Sequence, residues 1–352
     1  MKHLYSLLPI TLIMFDGASH LNSTDNADNN APFHLNTNTT AGEGLSVEMK
    51  TYYSDYLIDN AKPNLVHDQF AQKHPIPRNG GKTIEFRRFI PFSKATTPLK
   101  EGVTPDGGKL EVTNLTATVQ QYGHYITLSD VVQLTSIDNL LVETTELLGA
   151  QAGVTLDTIT REVLNAGTSV IYSNGKENRA DLTGADKLTV DDIFRAARFL
   201  KTQNAPKIDG SYVAIVHPDV AYDLMRNDEW VDIHKYTDNV DNVYEGEIGK
   251  IAGVRFVETT EAKKFEGEGD GGRDVYSTLV LGAKAYGVTE VTGGGLQHIV
   301  KQLGSGGTSD PLNQRGTAGW KAIKTAERLV ENYMVRIESG CTFGEPEEPE
   351  EA

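Results

Sequence analysis

The sequence predicts an α+β fold, and three of its segments carry that prediction. Residues 82–128 alternate apolar and polar side chains and are rich in β-branched residues, which is typical of paired strands. Residues 136–167 repeat apolar side chains at helical spacing and end at a glycine, which indicates one long helix. Residues 188–300 alternate between the two patterns. Helices packed against sheets explain all three segments.

The length, charge and cysteine count argue against several classes of protein. A chain of 352 residues is long enough for its own hydrophobic core and suggests about two domains. It has 49 acidic and 33 basic residues, so its net charge of -16 argues against general nucleic-acid binding, which requires Lys and Arg to displace phosphate counterions. The single cysteine, Cys341, excludes a disulfide framework and a cysteine-based zinc site within one chain.

The two ends of the chain are not predicted to fold. The first 20 residues combine Lys2, an apolar run from Leu4 to Phe15 and small residues, which is the layout of a secretory signal peptide. An upstream start codon or a dispensable N-terminal arm explains them equally well, and the run is too short to span a bilayer. We expect residues 1–44 to form a signal-like, disordered segment and residues 344–352 an acidic, disordered tail.

Residues 82–130 are predicted to form an extended hairpin, which follows an N-terminal arm at residues 45–81. The strong turn signal Pro105-Asp106-Gly107-Gly108 divides two extended arms of about 20 residues each, or roughly 60 Å if straight. A two-stranded ribbon of that length cannot bury both faces by itself, so it requires a neighbour.

The remaining segments predict a long helix and then an alternating α/β region. The helix runs over about 30 residues from Ile137, although Gly149 and Gly153 lower the expectation that it is continuous. Thr189 and Asp192 have capping-box spacing at the start of the next helix. "SYVAIVHP", "GVRFVETT" and "VYSTLVLG" read as strands, Pro218 begins a helix, and residues 319–340 read mostly as extended.

Two glycine motifs imitate nucleotide-binding loops. Gly81-Lys82-Thr83 matches the end of a P-loop, but residue 76 is Ile where the motif needs Gly, and a strand rather than a helix follows. Gly267, Gly269 and Gly272 match G-x-G-x-x-G, but the acidic residues between them would repel a pyrophosphate. We therefore expect a turn and an acidic surface loop, whose spacing also fails the calcium-binding EF-hand pattern.

No pattern in the sequence marks an active site. There is no G-x-S-x-G elbow and no H-E-x-x-H pair, and the nine histidines are scattered. His217, before Pro218, is expected to end a strand. We predict no catalytic residue, no cofactor and no metal, and expect a protein that is not an enzyme. A protruding ribbon that needs a neighbour favours self-assembly instead.

Most of the folded body resembles a known family. The resemblance covers residues 45–343 and is to the major capsid proteins of tailed bacteriophages and prophages, in particular the N-four-type group with the HK-ninety-seven-type shell fold. The stretches that carry it are "NLVHDQFAQKHPIPRNGGKTIEFRRF", "KATTPLKEGVTPDG", "GAQAGVTLDTITREVLNAGT", "NAPKIDGSYVAIVHPDVAYDLMRNDEWVDIHKY", "EGEIGKIAGVRFVETTEAK" and "GGGLQHIVKQLGSGGTSDPLNQRGTAGWKAIKTAERL".

The resemblance implies a division of the chain into functional parts. Residues 82–130 would be the extended loop that lies over a neighbouring subunit. Residues 131–187 with 301–343 would form the peripheral domain, including its spine helix, and residues 188–300 the axial domain. The hairpin tip, Pro105, Asp106, Gly107 and Gly108, is the candidate inter-subunit contact. Some shells of this fold cross-link subunits through a Lys–Asn bond, but no such motif matches here.

The resemblance also implies partners and a location. The chain would pair with itself, as hexamers and pentamers of an icosahedral shell, with scaffold, portal and decoration proteins as further partners. The shell would enclose phage DNA without sequence-specific binding, contact no membrane, and be assembled in the host cytoplasm to form the virion. These expectations favour an arm or a misassigned start over export for the N-terminus. The alternatives are a nanocompartment shell with protein cargo, an exported enzyme or surface protein, and a nucleotide-using enzyme.

Overall fold

The structure is a computed structural model of the full chain, and it describes ten stretches of it. These are residues 57–61, 65–75, 82–90, 92–99, 101–104, 107–135, 140–235, 247–289, 295–307 and 310–344. The signal-like segment of residues 1–44 and residues 345–352 of the predicted acidic tail lie outside these stretches, whereas Gly344, the first residue of that tail, is buried. Within the described part, no helix is long and apolar enough to cross a membrane.

Helices and strands alternate along most of the described chain. The named helices are α1 (Asp130–Thr135), α2 (Leu140–Asn165), α3 (Val190–Thr202), α4 (Pro218–Met225) and α5 (Asp228–Lys235). The strands are β1 (Gln72–His74), β2 (Thr83–Phe89), β3 (Val112–Thr118), β4 (Gln120–Ser129), β5 (Val170–Tyr172), β6 (Tyr212–Val216), β7 (Glu247–Ile251), β8 (Val254–Glu258), β9 (Lys264–Phe265), β10 (Val275–Leu281), β11 (Tyr286–Thr289), β12 (Leu296–Lys301), β13 (Arg315–Lys324), β14 (Ala326–Arg328) and β15 (Met334–Ser339).

The largest sheet has seven strands and mixed direction, in the order β5-β15-β10-β6-β8-β7, with β9 paired to β10. The strands β6, β10 and β15 are buried along their whole length, as expected for strands covered on both faces. Apolar residues of α3 and α4 pack on this sheet in the main hydrophobic core. Helices on a mixed sheet confirm the predicted α+β class.

Two helix starts follow the predicted local chemistry. The Thr189 hydroxyl accepts from the backbone N–H of Asp192 at 3.3 Å, and the Asp192 carboxylate accepts from the backbone N–H of Thr189 at 3.2 Å. This is the predicted capping box at α3. His217 follows β6 and caps α4, since its ring accepts from the backbone N–H of Asp219 at 3.2 Å. The prediction that His217 ends a strand is thereby confirmed.

The C-terminal strand contacts both parts of the predicted division of the chain. Residues 301–343 are predicted to join residues 131–187, and β15 pairs on one side with β5 of that segment and on the other side with β10 of residues 188–300. Conversely, β12 begins inside the segment 188–300 and pairs instead with β13, in a three-stranded sheet of order β12-β13-β4. The division, which the resemblance implies, stays a prediction.

The predicted hairpin of residues 82–130 is too long. Only β2 and β3 pair with each other, from Thr83 opposite Thr118 to Phe89 opposite Val112. After the single residue Val119, β4 pairs along its length with β13 and belongs to a different sheet. The continuous apolar–polar alternation of residues 112–129 hides this change of partner. The arms of the hairpin are therefore seven residues long.

The spine helix α2 is continuous over 26 residues, as the apolar spacing predicts, and runs through both glycines. Leu148, Ala152 and Leu156 pack in one core cluster with the buried side of the β12-β13-β4 sheet and with the helical residues 57–61. Gly149 allows that N-terminal segment to approach, since a Cβ there would lie 2.8 Å from the Leu57 carbonyl oxygen.

Gly149→Ala is expected to destabilise the subunit by about 1–3 kcal/mol, although alanine favours a helix by about 1 kcal/mol over glycine. The added methyl group would also lie 2.9 Å from Cβ of Asn60, so the N-terminal segment must move away. Denaturant unfolding of the full chain measures the change. Leu147→Ala, at an exposed position of the same helix, is the control and should cost less than about 1 kcal/mol. Equal or greater stability of Gly149→Ala would contradict this close approach.

Candidate functional site

The β2–β3 ribbon is buried only at its base. Ile84 and Phe86 on β2 and Ala117 on β3 form a small apolar cluster against the body. From Arg87 outward, β2 is exposed on both faces, including Phe89. Alternation in this strand therefore reports burial for only half of its length. In the outer half of the ribbon, β2 and β3 pair with each other and both are exposed.

Exposed large apolar side chains recur along the outer end of this hairpin. Phe92 is 68% exposed and Leu99 is 77% exposed, and their neighbours along the loop are similar. Soluble monomers rarely leave such a concentration of apolar surface in water, so it indicates a protein contact. We call these residues the hairpin patch: Phe89, Ile90, Phe92, Leu99, Val103, Leu110 and Val112.

Two of the four predicted contact residues can be placed beside the hairpin patch. Pro105 and Asp106 fall outside the described residues, whereas Gly107 and Gly108 are exposed. A Cβ on Gly108 would lie 3.7 Å from the Phe92 ring, so the returning chain passes next to that aromatic side chain. The turn signal predicted the position of this region, but it did not predict that the apolar residues on either side would be exposed. Phe92, Leu99 and Val103, apolar residues inside a turn-rich segment, were the available signal.

A second candidate contact surface lies at the N-terminal end of the spine helix. A cavity of about 490 Å³ opens between α1, the start of α2 and the adjacent sheet. Next to it, α1 exposes Val131, Val132 and Leu134 and has no buried residue. We call the cavity and these three residues the spine pocket. The cavity is lined by Leu128, Gln133, Leu140, Leu141, Val300, Lys301, Gln302, Leu303, Gly316 and Thr317.

A buried polar network holds residues 65–71 against the spine helix. The Asp157 carboxylate, on α2, accepts from the His67 backbone N–H at 2.7 Å and lies 2.6 Å from the His67 Nδ1. The Tyr286 hydroxyl donates to the His67 carbonyl oxygen. Burial, together with the carboxylates of Asp68 and Asp157, raises the pKa of Tyr286 well above its usual value, so this hydroxyl keeps its proton and remains a donor.

The neighbouring pair in this network is a buried salt bridge. Lys324, at the end of β13, contacts the Asp68 carboxylate, and their side chains are 1% and 7% exposed. The Thr160 hydroxyl donates to the same carboxylate at 2.6 Å. Sequence reasoning missed these residues because they are scattered over more than 250 positions and match no motif. The network joins the N-terminal arm, the spine helix and a strand that are otherwise distant in the chain.

The two nucleotide-like motifs occupy structural positions. Thr83 begins β2, so the predicted strand follows the P-loop imitation. The acidic glycine loop forms a surface turn before β10, where Glu268 pairs with Arg179. Bonds from Glu338 and then Glu268 raise the pKa of Arg179 and keep it charged, although partial burial acts in the opposite direction. Among the described residues, no group of three or more His, Cys, Asp or Glu is placed to hold a metal ion.

The fold is similar to that of several solved capsids. The capsid of Ralstonia phage GP4 matches with a TM-score of 0.62 and 15% identity, covering 80% of this chain and 89% of the other. The capsid of Cyanophage P-SCSP1u has a TM-score of 0.60 and 16% identity, covering 79% and 88%. The capsid of Cyanophage Pam1 has a TM-score of 0.61 and 14% identity, covering 81% and 92%. No curated protein matches the sequence.

A family model settles the family. The model described as "Phage capsid protein" matches residues 113–326, which is more than half of the chain. The match spans β3, the spine helix and most of the seven-stranded sheet, and the similar capsid folds agree with it. The finer assignment to the N-four-type group stays a prediction. The chain belongs to the phage capsid protein family, as a structural major capsid protein that self-assembles into the icosahedral head shell of the virion.

Proposed function

We propose that the hairpin patch of one subunit packs on the spine pocket of its neighbour within the shell. The observation that carries this proposal is the apolar hairpin end, which has no partner among the described residues of its own subunit. The spine pocket supplies a cavity of about 490 Å³ with a mixed polar and apolar lining, next to the exposed apolar residues of α1. Burying both removes apolar surface from water, which drives most protein association. Pro105 to Gly108 would lie at this contact.

The acidic charge suits a shell that encloses DNA without gripping it. A net charge of -16 opposes condensation of the subunit on phosphates, so packed DNA stays free to enter and leave. We therefore propose that the shell encloses phage DNA without sequence-specific binding, is not an enzyme, and assembles as hexamers and pentamers in the host cytoplasm. Scaffold, portal and decoration proteins are the proposed further partners.

Expression in bacterial cytoplasm tests this proposal directly. The full chain and a version starting at Leu45 are each expressed, and the lysates are examined by size-exclusion chromatography and negative-stain microscopy. Closed shells or capsomer rings are expected from both, since the hairpin patch and spine pocket lie within residues 45–343. A clean monomer from both would contradict unaided assembly and would favour the exported-protein alternative, which predicts a secreted monomer.

The contents of the particles separate the two shell hypotheses. A phage head accepts DNA in the presence of the packaging proteins, whereas a nanocompartment encloses a protein cargo. Particles from infected or induced cells are expected to contain DNA that resists nuclease until the shell is opened. Particles that instead retain a defined protein, with no protected DNA, would contradict the proposed genome-enclosing role.

A further inference from the structure

The β2–β3 ribbon is attached to the body at few points. Its two strands pair only with each other among the described residues, and the single residue Val119 joins β3 to β4. The cluster at its base contains three buried residues and is separate from the larger apolar clusters. A segment held by so few buried contacts can move independently of the core unless one contact fixes it. The structure provides one such contact.

That contact is Phe86, which is fully buried at the base of the ribbon. Its ring meets the His74 ring edge-on, at 4.8 Å between centroids and 88° between planes. The ring also lies directly over Gly287, where an added Cβ would come within 2.6 Å and 2.7 Å of two ring carbons. Only a glycine at position 287 leaves room for the ring at this depth.

The surface beneath the ring is a rigid one. Gly287 lies in β11, which pairs with β1 on one side and with β14 on the other. A central strand held by both neighbours cannot shift easily to admit a larger side chain. The slot therefore has a fixed position in the body, and Phe86 transmits that position to the ribbon.

We propose that Phe86 and Gly287 form a plug and slot that set the direction in which the hairpin projects, and thereby aim the hairpin patch at the neighbouring subunit. The second clause rests on the proposed function, whereas the first concerns the isolated subunit alone. The ribbon strands of seven residues span about 20 Å, so a tilt of about 10° at the base moves the outer end by roughly 3–4 Å. Close-packed contacts do not tolerate a displacement of that size.

Distance measurement between two spin labels tests the plug without requiring assembly. One label is placed on the outer ribbon with Thr113→Cys and one on the body with Lys201→Cys, both exposed positions. The otherwise unchanged subunit is expected to give one narrow distance distribution by pulsed electron resonance. Phe86→Ala and Gly287→Ala should broaden the distribution or shift its maximum by 3 Å or more. Glu85→Ala, on the exposed face of the same strand, is the matched control and should leave it unchanged.

A double variant distinguishes positioning from ordinary stability. Leucine is smaller than phenylalanine, so Gly287→Ala combined with Phe86→Leu should narrow the distribution again relative to Gly287→Ala alone. A merely structural role predicts that the two changes add, as independent destabilising changes do. Thermal melting identifies the variants that fold. If Gly287→Ala does not fold, Phe86→Ala, which introduces no clash, provides the test. An unchanged distribution in folded Phe86→Ala would overturn the proposal.

Assembly of the same variants separates this inference from the proposed function. If the hairpin patch mediates assembly, variants with a broadened distance distribution should form fewer shells than Glu85→Ala. If the distribution broadens but shells form normally, the positioning role of Phe86 and Gly287 is supported and the assembly role of the hairpin is contradicted. If the distribution is unchanged while removal of the loop blocks assembly, the assembly role of the hairpin is supported and the positioning role of Phe86 and Gly287 is contradicted.

Discussion

Replacing Lys324 with methionine is expected to destabilise the folded subunit by about 3–5 kcal/mol. The change leaves the Asp68 carboxylate buried beside α2, where it still accepts a hydrogen bond from the Thr160 hydroxyl. Removing one partner of a buried ion pair is costly because the other charge keeps its desolvation penalty without compensation. Denaturant unfolding measures the loss as a lower midpoint at an unchanged slope.

The matched control is Lys301→Met, which makes the same substitution at an exposed strand position. It should change the free energy of unfolding by less than about 0.5 kcal/mol. Combining Lys324→Met with Asp68→Leu should recover part of the lost stability, since neither charge is then buried. A cost below about 1 kcal/mol for Lys324→Met would show that water reaches Asp68 and that the network is not closed.

Deleting residues 97–109 is expected to abolish shell assembly while leaving a folded, soluble subunit. The described residues of this segment are exposed and form no strand, so their removal costs the core nothing. Leu99 and Val103, which belong to the hairpin patch, are lost with them. Size-exclusion chromatography and negative-stain microscopy report assembly, and a cooperative thermal melt reports folding.

Two further variants locate the cause of the lost assembly. Phe92→Ser with Leu99→Ser keeps the loop length but removes two exposed apolar side chains, and it should also reduce assembly strongly. Lys94→Ser alters an exposed charge in the same loop and should assemble normally. Shells formed by the deleted subunit would show that the loop is not an assembly contact. Loss of its cooperative melt would show instead that the loop supports the fold.

Local pattern predicted local structure well in this chain. The apolar spacing of residues 136–167 corresponds to the continuous helix α2, and the capping box at Thr189 forms as expected. Both depend on side chains within one or two turns of each other, so the sequence contains all the relevant chemistry. Gly149 lowered the expected continuity of α2, but it is required there because residues 57–61 pack closely against it.

The pairing of strands that are distant in the sequence could not be predicted from the local pattern. The alternation of β3 and β4 is uninterrupted, yet the two strands join different sheets. Strand β15 has an ordinary apolar pattern that does not name β5 and β10 as its neighbours. The features of the candidate site also differ in whether the local sequence indicates them. The contact at Gly107 and Gly108 stays a prediction from the turn signal, whereas the spine pocket and the Lys324–Asp68 pair exist only once the chain has folded.

The position of β15 also constrains how the subunit is made. This strand is synthesised after every other strand of the seven-stranded sheet, yet it lies inside that sheet between β5 and β10. During translation the sheet therefore has two unpaired inner edges until β15 emerges from the ribosome. Chains that terminate before Met334 cannot close the sheet and should go to proteolysis instead of entering a particle. The seven-stranded sheet is therefore expected to form only in subunits whose C-terminal strand has been synthesised, and only those subunits are expected to enter the shell.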